Sequence, residues 1–442
     1  MMTSAASARR LHLIASAACG RASAAAARPA GPELSAHDFV FDGSDGLGSA
    51  GTTIERIGRN HFRVNLGSAP AHPEWCNKLQ FTIPSGAKGV KLRLEVLHES
   101  PAMSLNEYFA SMSYNGKHWI AVPWTQGDLR REGWSKTHDT LLFPVFEQDR
   151  VLVGHQIPMT YEDSVALVGG YCSTHPTLAS TVNLGRSVGG RTIQRLEITD
   201  RHSTVPRSRR WVFHISNQHP GEHNAQWRMA GMVSWLLSDD DPHARDFRQR
   251  SIFHFIFFSS PDAPSNGWYR VCSEGVDMNR SYYVDGAAKG EQAHEANLVQ
   301  ADLEALMRSE EPVTLCYSMH TWTGIVEQLL CPGPELREGS PEILGGGWQE
   351  LREIMRRNER ASGLVDQEGL AAQDGSNGGQ LMKPLAVMEA KNGVQWTDGP
   401  HLQFDISTIL CEGGSHAKTK ELNMGAGAVI VKSLAEYYVG CR

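Results

Sequence analysis

The chain has no strong excess of charge of either sign, no long apolar run and no paired cysteine spacing, and each absence removes a class of function. With 42 Lys and Arg against 49 Asp and Glu, its 442 residues carry a formal charge of −7, so no positive field draws nucleic acid or an anionic bilayer. Neither nucleic acid nor membrane is expected as a partner. No run approaches the roughly 20 apolar residues of a spanning helix, and a soluble protein is expected. The eight cysteines (Cys19, Cys76, Cys172, Cys272, Cys316, Cys331, Cys411 and Cys441) follow neither zinc-ribbon nor redox spacing. Several sit in apolar runs such as VTLCYSMH and STILCEGG, where a reduced thiol packs as a small hydrophobe. An intracellular, cytoplasmic setting follows.

Acidic residues are also missing from the first 32 positions, which are rich in Ala, Ser and Arg (Arg9, Arg10, Arg21, Arg28). Residues 1–36 therefore read as a disordered or targeting leader; as a transit peptide it would direct the chain to the mitochondrial matrix. The remaining length suits two domains, each able to bury a core.

What is present divides at about residue 158. Over residues 37–158 apolar and polar residues alternate, as in FRVNL, KLQFTI and VKLRLEV, the period of half-buried strands. Asn115-Gly116, between strand-like flanks, predicts a type I′ hairpin turn. This part reads as an antiparallel β-sandwich domain. Over residues 159–442 continuous apolar strands (RRWVFHIS, SIFHFIFF, VTLCYSM, DISTILC) alternate with helix-like stretches (AQWRMAGMVSWLL, WQELREIMRRNERA, LNMGAGAVIVKSLAEYY). That texture predicts an α/β domain, a mixed sheet covered by helices on both faces. SDDDPHARD (238–246) reads as a solvated loop, lacking calcium-loop spacing. His214 and His254, inside apolar strands, read as core histidines.

Sites in such sheets lie just beyond the carboxyl ends of strands, where His219, Ser259, His320 and Glu412 fall. NQHPGEHN (217–224) follows one such strand and fits two metal-site patterns. As H-x-x-E-H it is an inverted zincin, with His219 and His223 as ligands on one helical face. That requires a helix through Pro220-Gly221, a pair better suited to a turn. As H-x-x-E it would turn His219 and Glu222 toward one ion and leave His223 elsewhere. The pair alone is weak, since a chain with 19 histidines and 49 acidic residues produces such spacings by chance.

Beside these residues stand NGWYRVCSEGVDMNRSY, HTWTGIVEQLLCP around His320, and DISTILCEGG around Glu412. Together with HPGE, they resemble the zinc metallocarboxypeptidase family in its cytosolic carboxypeptidase-like branch, from about Tyr161 to Arg442. The resemblance implies one Zn2+ per chain held by His219, Glu222 and His320, a His₂Glu site. It implies Glu412 as general base and acid for a metal-activated water, and Arg270 at the developing oxyanion. Asn279 and Arg280 would grip a terminal carboxylate through the planar guanidinium fork, and Asp277 would orient a ligand imidazole.

The function implied is a metallocarboxypeptidase hydrolysing C-terminal residues from peptides or proteins. Lys383 and Lys391 would favour an acidic, glutamate-type residue. Two alternatives share the residues: a zinc amidase or esterase acting on a small acyl amino acid, and a binding module without turnover. The chain lacks the tyrosine that many members place between the third ligand and the catalytic glutamate; none occurs between His320 and Glu436. Trp396 is the candidate to fill that space. The Gly-rich stretch Gly333 to Gly379 reads as a lid or insertion.

Overall fold

The computed structural model describes residues 31–98, 109–126, 137–283, 292–322, 348–364, 396, 398–404, 406–414 and 419–440. The leader up to Ala30, most of the Gly333–Gly379 stretch, Lys383, Lys391 and His416 lie outside the described residues. Residues 32–442 cluster as one compact unit. Leu34, placed with the leader on composition, is buried in the first core and its N–H donates to Asn60 Oδ1 at 2.8 Å.

Alternating residues in the N-terminal part build two sheets. Its strands are β1 (Thr53–Gly58), β2 (His61–Asn65), β3 (Ser68–Ala69), β4 (His72–Cys76), β5 (Phe81–Ile83), β6 (Lys91–His98), β7 (Ala110–Ser113), β8 (Ile120–Ala121), β9 (Trp124–Gln126), β10 (Thr137–Val145) and β11 (Val151–His155). One sheet has the order β1-β2-β6-β10-β9 and the other β5-β11-β7-β8. Phe62, Val64, Leu92, Leu94 and Val96 of the first meet Phe81, Met112, Val151 and Val153 of the second in one core.

Two details depart from the sequence reading. β2 pairs with β6 in parallel, because the chain between them crosses to the other sheet through β5, and a parallel pair needs such a long crossover. The Asn115-Gly116 turn is longer than a type I′ hairpin. Gly116 takes φ +71° and Asn115 does not take positive φ; instead the Asn115 side chain accepts from Lys117 N and His118 N at 2.8 and 3.0 Å.

The second part holds β12 (Ala179–Arg186), β13 (Thr192–Ile198), β14 (Trp211–Asn217), β15 (Ser251–Ile256), β16 (Leu315–Trp322) and β17 (Ser407–Gly414), in the order β12-β13-β15-β14-β16-β17. The pairs β14–β15, β14–β16 and β16–β17 are parallel and the other two antiparallel. Its helices are α1 (Tyr161–Thr174), α2 (His223–Leu236), α3 (Pro242–Arg250), α4 (Ala263–Asn266), α5 (His294–Met307), α6 (Trp348–Ser362), α7 (Asp398–Phe404) and α8 (Lys420–Val439). Phe213, Ile215, Phe253 and Tyr317 face the layer of α2 and α8, while Val212, Ile252, Ile256 and Cys316 face α5. Both faces are covered, so the strands are apolar throughout.

Local signals set the helix starts. Thr160 and Asp163 form a capping box at α1, with Asp163 N donating to Thr160 Oγ1 at 2.9 Å and Thr160 N to Asp163 Oδ2 at 3.0 Å. Asp241 caps α3 through His243 N, with Pro242 at the first helical position. Half of the supposed loop 238–246 is therefore helix, and its Asp-Pro pair was the start signal.

α2 is buried on almost every side and crosses α8 at glycine on both helices. A Cβ added at Gly231 would overlap the Met424 carbonyl, and one at Gly427 the Arg228 carbonyl. Helix propensity alone makes Gly427→Ala stabilising by about 1 kcal/mol. Overpacking here reverses the sign: we expect a loss of about 1–3 kcal/mol, read as a lower urea midpoint at unchanged slope. A midpoint at or above wild type would refute this crossing.

Candidate metal centre

Strands β14, β16 and β17 run parallel and end along one edge of the sheet. His219 lies two residues beyond β14, and His320 and Glu412 stand opposite each other in the β16–β17 register. Pro220 and Gly221 turn the chain between β14 and α2, so Glu222 occupies the N-cap of α2 rather than its interior. Gly221 is required there, since a Cβ would collide with the Tyr269 backbone, to which its own N–H donates at 2.8 Å.

This turn brings three donors together. His219 Nδ1 lies 2.7 Å from Glu222 Oε1, His320 Nδ1 lies 3.0 Å from Glu222 Oε2, and the two Nδ1 atoms are 3.1 Å apart. All three residues are buried, and their donor atoms lie within 4.8 Å of one another. His219 Nε2 faces Asp277 Oδ1 at 3.2 Å and His320 Nε2 faces Ser318 Oγ at 2.9 Å. The Nδ1 lone pairs of both rings therefore converge on the carboxylate.

One proton cannot satisfy two imidazole nitrogens and a carboxylate at once, whereas one cation can. Burial opposes ionisation of Glu222, yet the two histidines hold its carboxyl well below the usual range. Burial likewise opposes a charged Asp277, but His219, Arg270 and Arg280 keep it ionised. At His219, burial and Arg270 disfavour the imidazolium, and Glu222 with Asp277 outweigh them, raising its affinity for positive charge. Two neutral imidazoles and a carboxylate are the donor set of a His₂Glu zinc site.

A second cluster, Cys272, Glu274 and Glu295, has the opposite character. Burial pushes the Cys272 thiol up to about 12 and also raises Glu295. Burial thus disfavours the charged, ligating form of both, and Glu274 is exposed.

Around the triad, Asp277 ties the other predicted residues together. Its Oδ2 accepts from Arg270 Nε at 2.6 Å and its Oδ1 from Asn279 N at 2.8 Å. Asn279 Nδ2 lies 3.5 Å from His320 Nε2, and Arg280 donates to the Asn279 carbonyl at 2.8 Å. Arg270, Asp277, Asn279 and Arg280 thus sit beside the three donors. The Glu412 side chain lies outside the described residues; its backbone position on β17 adjoins His320.

His223 is turned away. It opens α2, its Nδ1 meets Gln226 Oε1 at 2.9 Å, and burial depresses its pKa well below the ordinary range. Trp396 does not stand in for the absent tyrosine: its ring is fully buried 4.6 Å from Tyr282 and 5.3 Å from His214, and only its backbone N–H reaches Asn279 Oδ1, at 3.0 Å. His214 and His254 are fully buried within strands and belong to neither cluster.

Four contacts escaped the sequence reading. Thr321 N donates to Glu222 Oε2 at 2.9 Å, and the Tyr269 hydroxyl lies 3.5 Å from Glu222 Oε1. The other two come from the N-terminal part: Trp75 beneath the Arg270 guanidinium at 5.6 Å, and Lys78 against Gly221. Thr321 adjoins a named ligand and was within reach; nothing local marks Trp75 or Lys78.

Comparison with known proteins agrees with this geometry. Residues 168–322 match the zinc carboxypeptidase family, a segment that includes His219, Glu222, Arg270, Asp277, Asn279, Arg280 and His320 but not Glu412. Cytosolic carboxypeptidase 2 of Danio rerio is 29% identical over 240 residues, 48% of this chain and 31% of that protein. Cytosolic carboxypeptidase 2 of Xenopus tropicalis is 31% identical over 256 residues, 51% of this chain and 25% of that protein. The chain thus spans a third or less of these relatives. A metallo-carboxypeptidase structure from Burkholderia cenocepacia shares the fold, with a TM-score of 0.65 at 19% identity over 87% of this chain and 96% of that one. Residues 168–322 are thus similar to the zinc carboxypeptidase family, parts of the chain are similar to cytosolic carboxypeptidases, and the donor set fits one zinc ion.

The two readings of HPGEH differ in zinc content. Glu222→Ala is expected to lose the metal and His223→Ala to keep about one zinc per chain, measured by atomic absorption after dialysis. Asp277→Asn should retain the fold and weaken zinc about 10–100-fold. Retention in Glu222→Ala with loss in His223→Ala would restore the inverted pattern.

Proposed function

We propose that the protein is a zinc metallocarboxypeptidase that removes residues singly from peptide or protein C-termini. The convergence of His219 Nδ1, His320 Nδ1 and Glu222, with Arg270, Asn279 and Arg280 beside them, carries this reading. A zinc ion held there would polarise a carbonyl and lower the pKa of water to about 7.

This chain's residues do the rest. Asp277 holds the His219 ring with Nδ1 aimed inward and takes the Nε of Arg270. The terminal NH groups of Arg270, its plane steadied on Trp75, are the part of the fork left to face a developing oxyanion. Arg280 and Asn279 would receive the substrate's terminal carboxylate, which selects a chain end over an internal peptide bond. Glu412, one strand over from His320, would accept a proton from the attacking water at its carboxylate and return it to the leaving amine. The carboxylate clamp supports a carboxypeptidase over an amidase or esterase on a small acyl amino acid.

Three finer assignments accompany this reading. An acidic, glutamate-type preference rests on Lys383 and Lys391. A division into parts at 37–158 and 159–442 follows the separate cores around Phe62 and Phe213. A site of action inside the cell is supported by the names of the cytosolic relatives and by the free thiols of Cys172, Cys272 and Cys316. Among the described residues no helix is long and apolar enough to cross a membrane.

Zinc-loaded protein incubated with peptides ending in Glu, Lys or Phe is expected to shorten them one residue at a time, fastest for Glu, as followed by mass spectrometry. Glu412→Gln should retain zinc and lose at least about a hundredfold in rate. No shortening of any peptide, or equal shortening by the variant, would refute the reading; zinc binding without turnover would favour the binding module.

A further inference from the structure

The N-terminal part reaches the turn between His219 and Glu222 through the Lys78 side chain. Lys78 follows β4 and is 1% exposed, and its Nζ donates to the Gly221 carbonyl at 2.9 Å. Gly221 is the middle of the turn between His219 and Glu222, and both of its backbone groups are held: the N–H by Tyr269 O at 2.8 Å, the C=O by Lys78. Lys78 is held in turn. Its own N–H donates to Gly267 O at 2.8 Å, Asn77 N to Gly67 O at 2.7 Å, and Ala50 N to Asn266 O at 2.9 Å. The bonds to Gly267 and Asn266 splice the β-rich part onto the loop that leads into Tyr269 and Arg270. Gly267, at φ +76°, leaves no room for a Cβ against Gly48 O.

A buried lysine with a single neutral acceptor is a poor choice for stability. Desolvation pushes its pKa well down, with only the charge of Glu222 opposing, and a well-packed apolar residue would serve the core better. A donor reaching a backbone carbonyl between two ligands has another use. An amine donates an N–H whether charged or neutral, so the bond persists beside a dication.

We propose that Lys78 is a positioning residue of the metal centre: it fixes the His219–Glu222 turn from the N-terminal part, making that part a component of the site. This rests on the assignment of His219, Glu222 and His320 as metal ligands. Loss of a partner one bond removed from a ligand weakens metal binding about 10–100-fold, and Lys78 is expected toward the lower end because it acts through the backbone.

The test uses the full chain and two readouts: zinc affinity by competition with a chromophoric chelator, and the visible spectrum of the Co2+-substituted protein. Lys78→Met, which keeps length and removes the donor, should lower zinc affinity about tenfold and shift the Co2+ bands. Lys78→Gln, which keeps a donor, should recover part of the affinity. Asn77→Ala is the structural control, since it removes the bond from Asn77 Nδ2 to Ala50 O at 2.6 Å without touching the turn. It should leave affinity and spectrum as in wild type. Wild-type affinity in Lys78→Met, or an equal loss in Asn77→Ala, would overturn the proposal. If Lys78→Met does not fold, an affinity of Lys78→Gln equal to that of Asn77→Ala overturns it and a lower one supports it. His219→Ala separates the two assignments: unchanged zinc affinity there would remove the ligand set itself.

Discussion

Two imidazole lone pairs and a carboxylate, buried within about hydrogen-bond distance of one another, demand a shared positive charge. That demand orders the surroundings. Each histidine has its outer nitrogen engaged, by Asp277 or Ser318, so the inner nitrogen is free to ligate. Glu222 accepts from Thr321 N as well, which steadies a carboxylate that burial alone would drive to the neutral form. Without the sheet edge, and the turn that places Glu222 outside α2, the three groups would not meet.

The same constraint explains why the fold is tight where it is. The turn must pass under Tyr269, so position 221 is glycine; α2 must run close to α8, so positions 231 and 427 are glycine. Asp277 then couples this turn to the guanidinium and amide of the neighbouring loop. A single carboxylate thus relates the orientation of the His219 ring to the positions of Arg270 and Asn279. Trp75 and Lys78 extend that coupling into the N-terminal part.

Element types were legible wherever the signal is local. Period-two runs became the sandwich strands, continuous apolar runs became the central strands, and AQWRMAGMVSWLL became α2. Asn115-Gly116 marked a turn but not its length, because the Asn115 side chain, rather than its φ, closes it. Asp241-Pro242 was missed as a helix start because the acidic run around it looked like solvated loop.

His219, Glu222 and His320 stood out in the sequence because they fall near the carboxyl ends of apolar strands and each motif has a recognisable frame. Their order and chemistry are properties of short windows, and short windows determine turns, caps and strand ends. The folded chain alone decided which nitrogen of each ring faces inward, that Trp396 is core and not a cover, and that His223 points elsewhere. It alone decided that Lys78, 143 positions before Gly221, reaches the turn between His219 and Glu222. Contacts at that separation depend on how two cores pack, and no periodicity records the packing.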